Sequence, residues 1–212
     1  MTATVEQTVF IVDDDVAVRD ALALLLGLKG YRTAFFWSTE DFLAASRKDW
    51  RGCLVLDIKM SGMSGLDLQS RLASQGIEMP IVIITGHGDA ASARTALKSG
   101  AIDFLEKPLD DEQLVVAVGA ALERDARRRA EKVVGDETSS RLARLTPRER
   151  QVMDLAAAGR HNREIGEALG ISPRTVEVYK ARLMEKLQAR NLSELIRFAL
   201  TADREHVACH QP

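Results

Sequence analysis

Cysteine is scarce in this chain, with only Cys53 and Cys209 among 212 residues. Two isolated thiols form neither a disulfide framework nor a set of metal ligands. Long apolar runs are missing as well. None approaches the ~18 residues that a membrane-spanning helix needs. The opening residues Met1–Thr8 are polar and carry no signal-peptide pattern. Together these absences lead to the expectation of a cytoplasmic chain with no membrane partner. Charge of one sign does not dominate either, since the formal net charge is −2. With 46% hydrophobic and 28% charged residues the composition is that of an ordinary globular protein, long enough for one large domain or two modest ones. The charge is unevenly placed, however. Residues 1–123 hold 11 Lys and Arg against 18 Asp and Glu, residues 124–141 hold 6 against 4, and residues 142–212 hold 12 against 9. The basic end is therefore the better candidate for a polyanionic partner.

Residues 1–123 alternate short apolar runs with helical periodicity. Val9–Val12, Arg32–Trp37, Cys53–Leu56, Ile81–Ile84 and Ile102–Leu105 read as strands, the second half exposed. Between them, Val16–Leu28 carries apolar residues at helical spacing, and Gly30 follows. Ser38-Thr39-Glu40-Asp41 opens a helix to about Arg47 with a capping-box pattern. Leu66, Leu68 and Leu72 belong to a third helix, Ala90–Lys98 to a fourth, and Glu112–Glu123 starts a fifth. Five strand–helix units predict an α/β fold, a doubly wound five-stranded parallel sheet with helices on both faces. Such sheets carry their sites at the carboxyl ends of the strands, near the switch in strand order.

That rule gives several polar residues one address. Asp13 and Asp14 follow the first strand, Asp57 the third, Thr85 the fourth and Lys107 the fifth. Taken singly, Asp57 reads as a turn start, Thr85 as a strand cap and Lys107 as a surface lysine. Their joint placement on successive strand ends points to chemistry instead. Three carboxylates meeting on one edge repel one another and imply a cation, and oxygen ligands with room for water suit Mg²⁺. Beside a metal, Thr85 and Lys107, Asp57 is placed to attack phosphorus, with Lys107 neutralising and Thr85 hydrogen-bonding the phosphoryl oxygens.

Residues 124–144 read as a charged, partly helical linker. The run Arg124–Lys132 is helix-permissive, and Gly135–Ser140 is expected to break the pattern. The arginines are expected on a solvated helix face. A smaller all-α domain follows over 145–212. Thr146-Pro147-Arg148-Glu149 supplies an N-cap, a first-turn proline and the third-position acid. Asn162 is expected to cap a short second helix to Leu169, and Gly170-Ile171-Ser172-Pro173 to turn into a third helix from Pro173 to Leu187. A fourth is expected over Ser193–Thr201, with 203–212 as a loose tail and His161, His206 and His210 on the surface. A short helix, a Gly-containing turn and a longer helix make a helix-turn-helix. On the third helix Val176, Leu183 and Leu187 form the inward stripe, flanked by Tyr179. The opposite face would lie in a major groove. Glu177, Val178 and Ala181 are expected at base edges, and Arg174, Thr175, Arg182 and Lys186 at phosphates. A plain four-helix bundle with a charged surface is the other reading of this segment.

Residues 9–123 resemble the receiver domain of two-component response regulators through Val12-Asp13-Asp14-Asp15, Leu56-Asp57, Ile84-Thr85-Gly86 and Phe104-Leu105-Glu106-Lys107-Pro108. Residues 145–201 resemble the LuxR/NarL-type DNA-binding domain through Leu145–Arg150, Glu164-Ile165-Gly166 and Ile171–Val178, with Tyr179 where His is frequent. The whole chain thus looks like a FixJ-type transcriptional regulator. The resemblance implies that Asp57 accepts phosphate from a sensor histidine kinase. It also implies that Asp13, Asp14, Asp57 and the backbone carbonyl of Lys59 hold Mg²⁺, and that Phe104 turns inward on activation. A cis Lys107–Pro108 bond is implied too. So are homodimerisation through the fourth-helix and fifth-strand face, binding to double-stranded promoter DNA, and contact with RNA polymerase. Ser61 departs from the pattern, standing where the family usually has proline, and is expected to loosen the loop after Asp57. The chain is expected not to be an enzyme. One alternative is an orphan regulator controlled by partner binding without phosphorylation. Mg²⁺-dependent phosphatases of the haloacid-dehalogenase type are another, but they carry a second Asp two residues after the first, where this chain has Lys59.

Overall fold

The computed structural model describes residues 7–86, 90–191 and 193–200. The expected tail at 203–212, with His206, Cys209 and His210, lies outside the described residues, as does Thr201. Contacts divide the chain into a unit ending at Arg129 and a second beginning at Ala130.

The first unit is a five-stranded parallel sheet ordered β2-β1-β3-β4-β5. The strands are β1 (Thr8–Val12), β2 (Arg32–Phe36), β3 (Gly52–Asp57), β4 (Ile81–Thr85) and β5 (Asp103–Glu106). The apolar runs conceal a two-residue alternation between two cores. Val9, Ile11, Cys53, Val55, Val82 and Ile84 meet α1 (Val16–Leu28) and α5 (Asp111–Leu142) through Leu22, Leu26, Leu114 and Val118. Phe10, Val12, Leu54, Leu56, Ile81 and Ile83 face α2 (Thr39–Ala45), α3 (Gly65–Ser74) and α4 (Ala90–Lys98) through Phe42, Leu68, Leu72 and Ala96. A strand buried on both faces needs apolar residues at every position, hence the continuous runs. The strand order reverses about β1, so β1 and β3 are neighbours whose carboxyl ends flank the switch point.

The start of β3 is built by backbone proximity. Gly52 has φ +135°, and a Cβ there would stand 1.8 Å from the Thr8 carbonyl oxygen. The Gly52 N–H donates to Asp125, a carboxylate only 1% exposed. Arg128 and Arg129 pair with the same carboxylate at 3.0 and 2.9 Å, and Arg129 also donates to the Trp50 carbonyl. Arg128 reaches Glu78 at 2.9 Å. These two arginines, expected on a solvated face, instead pair with a buried acid.

The break expected at Gly135–Ser140 is absent, because α5 continues to Leu142. One helical glycine costs only about 1 kcal/mol relative to alanine. Leu142 is buried in the second unit's core, which offsets that cost.

The second unit contains α6 (Pro147–Ala157), α7 (Asn162–Leu169), α8 (Pro173–Leu187) and a helical stretch at 193–200. Its core joins Leu142, Val152, Met153, Ile165, Val176, Leu183, Leu187 and Leu195. The Thr146–Glu149 capping box is present as expected. At α7 the cap position falls on His161, whose N–H donates to Glu164 at 2.8 Å. Asn162, expected as the cap, is the first helical residue, and its side chain accepts from Lys180 at 2.6 Å. Among the described residues no helix is long and apolar enough to cross a membrane.

Candidate functional site

The carboxyl ends of β1, β3, β4 and β5 bring Asp13, Asp57, Thr85 and Lys107 together, as expected. The Lys107 ammonium lies 2.7 Å from an Asp13 oxygen and 2.7 Å from an Asp57 oxygen. It gets there because β5 ends at Glu106, where the Lys107 N–H donates to the Thr85 carbonyl at 2.7 Å. The Lys107–Pro108 peptide is cis, as the resemblance implied. Thr85 is 2% exposed at the end of β4. Phe104 is half-buried on β5 and packs against the second core cluster.

Asp13 is fully buried. Its Oδ1 accepts from the Asp15 N–H at 2.9 Å, and its carbonyl accepts from the Arg19 guanidinium at 2.6 Å. Arg19 also lies 5.3 Å above the Trp37 ring. Sequence reasoning missed Arg19. Its only signal was an arginine on the inward face of α1, which periodicity counts as an irregularity. Asp57 Oδ1 accepts from the Lys59 N–H at 3.0 Å. Behind it, Gly65 opens α3 so closely that a Cβ would stand 2.3 Å from the Asp57 carbonyl oxygen. A side chain at 65 would push the Asp57 backbone out of place.

Electrostatics follow from this packing. Burial pushes the Asp13 carboxyl above the usual carboxylate range, against the bonds from Lys107 and the Asp15 N–H. For Lys107, burial works against the ammonium, but the hydrogen bonds to Asp13 and Asp57 outweigh it and raise its pKa. Two carboxylates sharing one ammonium leave an excess negative charge in a buried place, which a further cation would offset. The donors are hard carboxylate oxygens, the type Mg²⁺ takes. One expectation needs correction. Asp14 does not converge with the other two acids, since its Oδ2 accepts from the Ser61 N–H at 2.9 Å and the Ser61 hydroxyl at 3.1 Å. Among the described residues no three Asp, Glu, His or Cys side chains are gathered closely enough to hold a metal. The Ser61 N–H bond, helped by its hydroxyl, lowers the Asp14 pKa against the opposing effect of burial.

In the second unit, Ser172 caps α8 by accepting from the Thr175 N–H at 3.1 Å, and the two hydroxyls lie 2.7 Å apart. Val176, Leu183 and Leu187 are buried, the expected inward stripe, with Tyr179 half-buried beside them. Arg174, Glu177, Val178, Ala181 and Arg182 are exposed on the opposite face, and Thr175 is half-buried. Val178 is 46% exposed and so is no part of the core. Lys180, which sequence reasoning passed over, bridges α8 to Asn162 of α7 and so fixes how the two helices of the motif meet. Lys186 differs from expectation. Its ammonium is bound to Glu149 at 2.6 Å and reaches the Arg144 carbonyl at 3.3 Å, so it holds the start of α6 rather than facing outward with Arg182.

Burial would raise the Glu149 pKa, but the bonds from Lys186 and from the Thr146 N–H and hydroxyl outweigh it and hold the carboxyl below the usual range. A depressed pKa contributes stability above the unfolded value of ~4.3, and that stability is lost as pH falls through the folded value. Glu149→Gln is therefore expected to destabilise the second unit by about 1 kcal/mol at neutral pH and by much less at pH 3. Hydrogen exchange of α8 amides at the two pH values checks this, and an equal loss at both would contradict it.

Comparison with known proteins agrees with the two-unit architecture. Residues 9–119 match the family described as "Response regulator receiver domain". Residues 143–199 match "Bacterial regulatory proteins, luxR family". The transcriptional regulatory protein FixJ of Azorhizobium caulinodans is 45% identical over 92% of this chain and 92% of its own length. The tetrathionate response regulatory protein TtrR of Salmonella typhimurium is 41% identical over 90% of each chain. Among solved structures, response regulator StyR superposes with a TM-score of 0.83 at 40% identity, covering 91% of this chain and 98% of its own. Full-length FixJ from B. japonicum gives 0.59 at 41% identity, covering 95% and 99%. A five-stranded receiver sheet with its acid–lysine pocket, followed by a luxR-family helical unit in one chain, places this protein among the FixJ-type two-component response regulators.

Proposed function

We propose that the chain is a cytoplasmic transcription regulator switched by phosphorylation of Asp57. The observation that carries this reading is the Lys107 ammonium at 2.7 Å from both Asp13 and Asp57. An Asp57 oxygen attacks the phosphorus of a phosphohistidine on a sensor kinase. The P–N bond breaks and its electron pair returns to the imidazole, which leaves as neutral histidine with the proton its other ring nitrogen already carries. Lys107 moves onto one phosphoryl oxygen as Asp57 gives up its negative charge, and the Thr85 hydroxyl donates to another. Asp13, Asp14, Asp57 and the Lys59 carbonyl are the residues that would hold Mg²⁺, which when bound supplies positive charge beside the phosphoryl oxygens. We assign residues 1–123 to the receiver, 124–144 to a helical connector and 145–212 to the DNA-binding domain. Phosphorylation moves Phe104 inward and promotes a homodimer through the α4 and β5 face, where Leu97 is exposed. The dimer binds promoter DNA and contacts RNA polymerase.

On DNA, Glu177, Val178 and Ala181 meet base edges, while Arg174, Thr175 and Arg182 meet phosphates. The two sets fail differently, because phosphate contacts carry affinity without sequence information. Arg182→Ala is expected to weaken binding to all sequences and to lower the salt slope by roughly one unit per lost contact. Glu177→Ala is expected to change the preferred base at one position in each half-site, because a carboxylate accepts from the cytosine amino group. Titrations of the phosphorylated protein over randomised half-sites at two salt concentrations test both. A preference that shifts with Arg182→Ala and not with Glu177→Ala would mean that α8 is rotated on the DNA.

A further inference from the structure

The loop after Asp57 is where the chain departs from its family. A proline at position 61 has neither an N–H nor a hydroxyl to give. Ser61 has both, and both go to one oxygen of Asp14, at 2.9 and 3.1 Å. The loop has these bonds to set against the expected loosening. Its other side is fastened to α2, where the Met63 N–H donates to Glu40 at 3.0 Å and the Met63 carbonyl accepts from the buried Thr39 hydroxyl at 2.9 Å. Ser61 is thus held in place, and Asp14 comes to it. Asp13 and Asp57 meanwhile converge on Lys107 without Asp14.

We propose that Ser61 is a positioning residue that withholds Asp14 from the pocket, so that Mg²⁺ binds only by taking Asp14 away from it. The inference rests on the reading of Asp13, Asp14 and Asp57 as the Mg²⁺ ligands. Bonds from an N–H and a hydroxyl to an ionised carboxylate belong to the stronger class of hydrogen bond. Mg²⁺ accepts little deviation from octahedral geometry, so it competes with Ser61 for the direction in which Asp14 points. Ser61 therefore raises the Mg²⁺ concentration at which the pocket fills. It also couples filling to the loop over residues 59–64, because Asp14 leaves two donors behind when it turns.

The test uses the full-length protein, MgCl₂ alone and no phosphodonor, with dissociation constants read from amide shifts in NMR spectra. Ser61→Ala removes one bond and is expected to tighten Mg²⁺ binding about threefold. Ser61→Pro removes both and is expected to tighten it about tenfold or more. In an Asp14→Ala background, Ser61→Ala is expected to change nothing, which a general effect on the loop would not reproduce. Unchanged or weaker binding in Ser61→Ala overturns the proposal, since Ser61 would then present Asp14 to the metal rather than withhold it. If Ser61→Pro fails to fold, the Ser61→Ala and Asp14→Ala comparison decides alone. A wild-type titration no different from that of an Asp13→Asn/Asp57→Asn double variant would remove the Mg²⁺ site itself, and the role of Ser61 with it.

Discussion

Asp57→Asn, incubated with a small phosphodonor and MgCl₂ and followed by intact mass, is expected to gain no phosphoryl group on the time scale on which the wild-type protein is fully modified. Asparagine keeps the shape, and its carbonyl oxygen still accepts from the Lys59 N–H, which bonds Asp57 at 3.0 Å. What it loses is the nucleophilic oxygen, and removing an active nucleophile costs on the order of a thousandfold or more in rate. Asp13 shares the same lysine and is the natural rival acceptor. It is fully buried and its carbonyl is tied to Arg19, whereas Asp57 retains 5% exposure. Asp13→Asn should therefore slow the reaction without moving the modified residue. Modification persisting in Asp57→Asn and vanishing in Asp13→Asn would reverse the two roles. A regulator working by partner binding alone would show no mass gain in the wild type either.

The second large effect concerns stability. Asp125→Ala is expected to cost the first unit about 3–5 kcal/mol, the usual consequence of removing one partner from a buried ion pair. The carboxylate is 1% exposed and serves the Gly52 N–H, Arg128 and Arg129 at once. Alanine leaves all three donors without it, and the Gly52 N–H is a buried backbone donor whose loss of a partner is costly. Asp125→Asn can still accept from Gly52 and should cost clearly less. Hydrogen exchange at Ile11 and Val55, deep in the sheet, reports the unfolding free energy of this unit without interference from the other. A loss below about 0.5 kcal/mol in Asp125→Ala, the range of ordinary surface substitutions, would mean that the cluster is ornamental.

The sheet was legible because its strands are buried on both faces, so each announces itself as an apolar run, and Asp13, Asp57 and Lys107 fall where those runs stop. Boundaries slipped by a residue where pairing is purely a backbone matter. β1 begins at Thr8 because its backbone lies opposite Arg32 and Gly52. β5 begins at Asp103 because Asp103 sits against Val82. What the sequence could not display were partners far along the chain. Lys186 looks like any exposed basic residue of a helix until Glu149, 37 residues earlier, is seen beneath it. Asn162 has the composition of a cap, and only Lys180 shows why its side chain is occupied. Arg128 and Arg129 read as a solvated run because the acid that buries them also serves a glycine 73 residues away. Ser61 was visible as a departure, but its partner was not, since a donor lost by proline is a donor available to Asp14 47 residues upstream.

The Lys107–Asp13 pair has a further consequence for how the protein is made. The two residues are 94 positions apart, and the strand that delivers the lysine is the last of the five to leave the ribosome. Parallel strands cannot close by local hairpins, so this edge of the sheet is completed late. Without that strand neither acid has the ammonium that both hold in the folded sheet. A chain whose fifth strand has not docked has Asp57 but no ammonium beside it, and on the proposed function it is expected to be a poor acceptor. On the proposed function, acceptance of phosphate at Asp57 is thereby reserved for chains whose fifth strand has docked, whatever the state of the second unit.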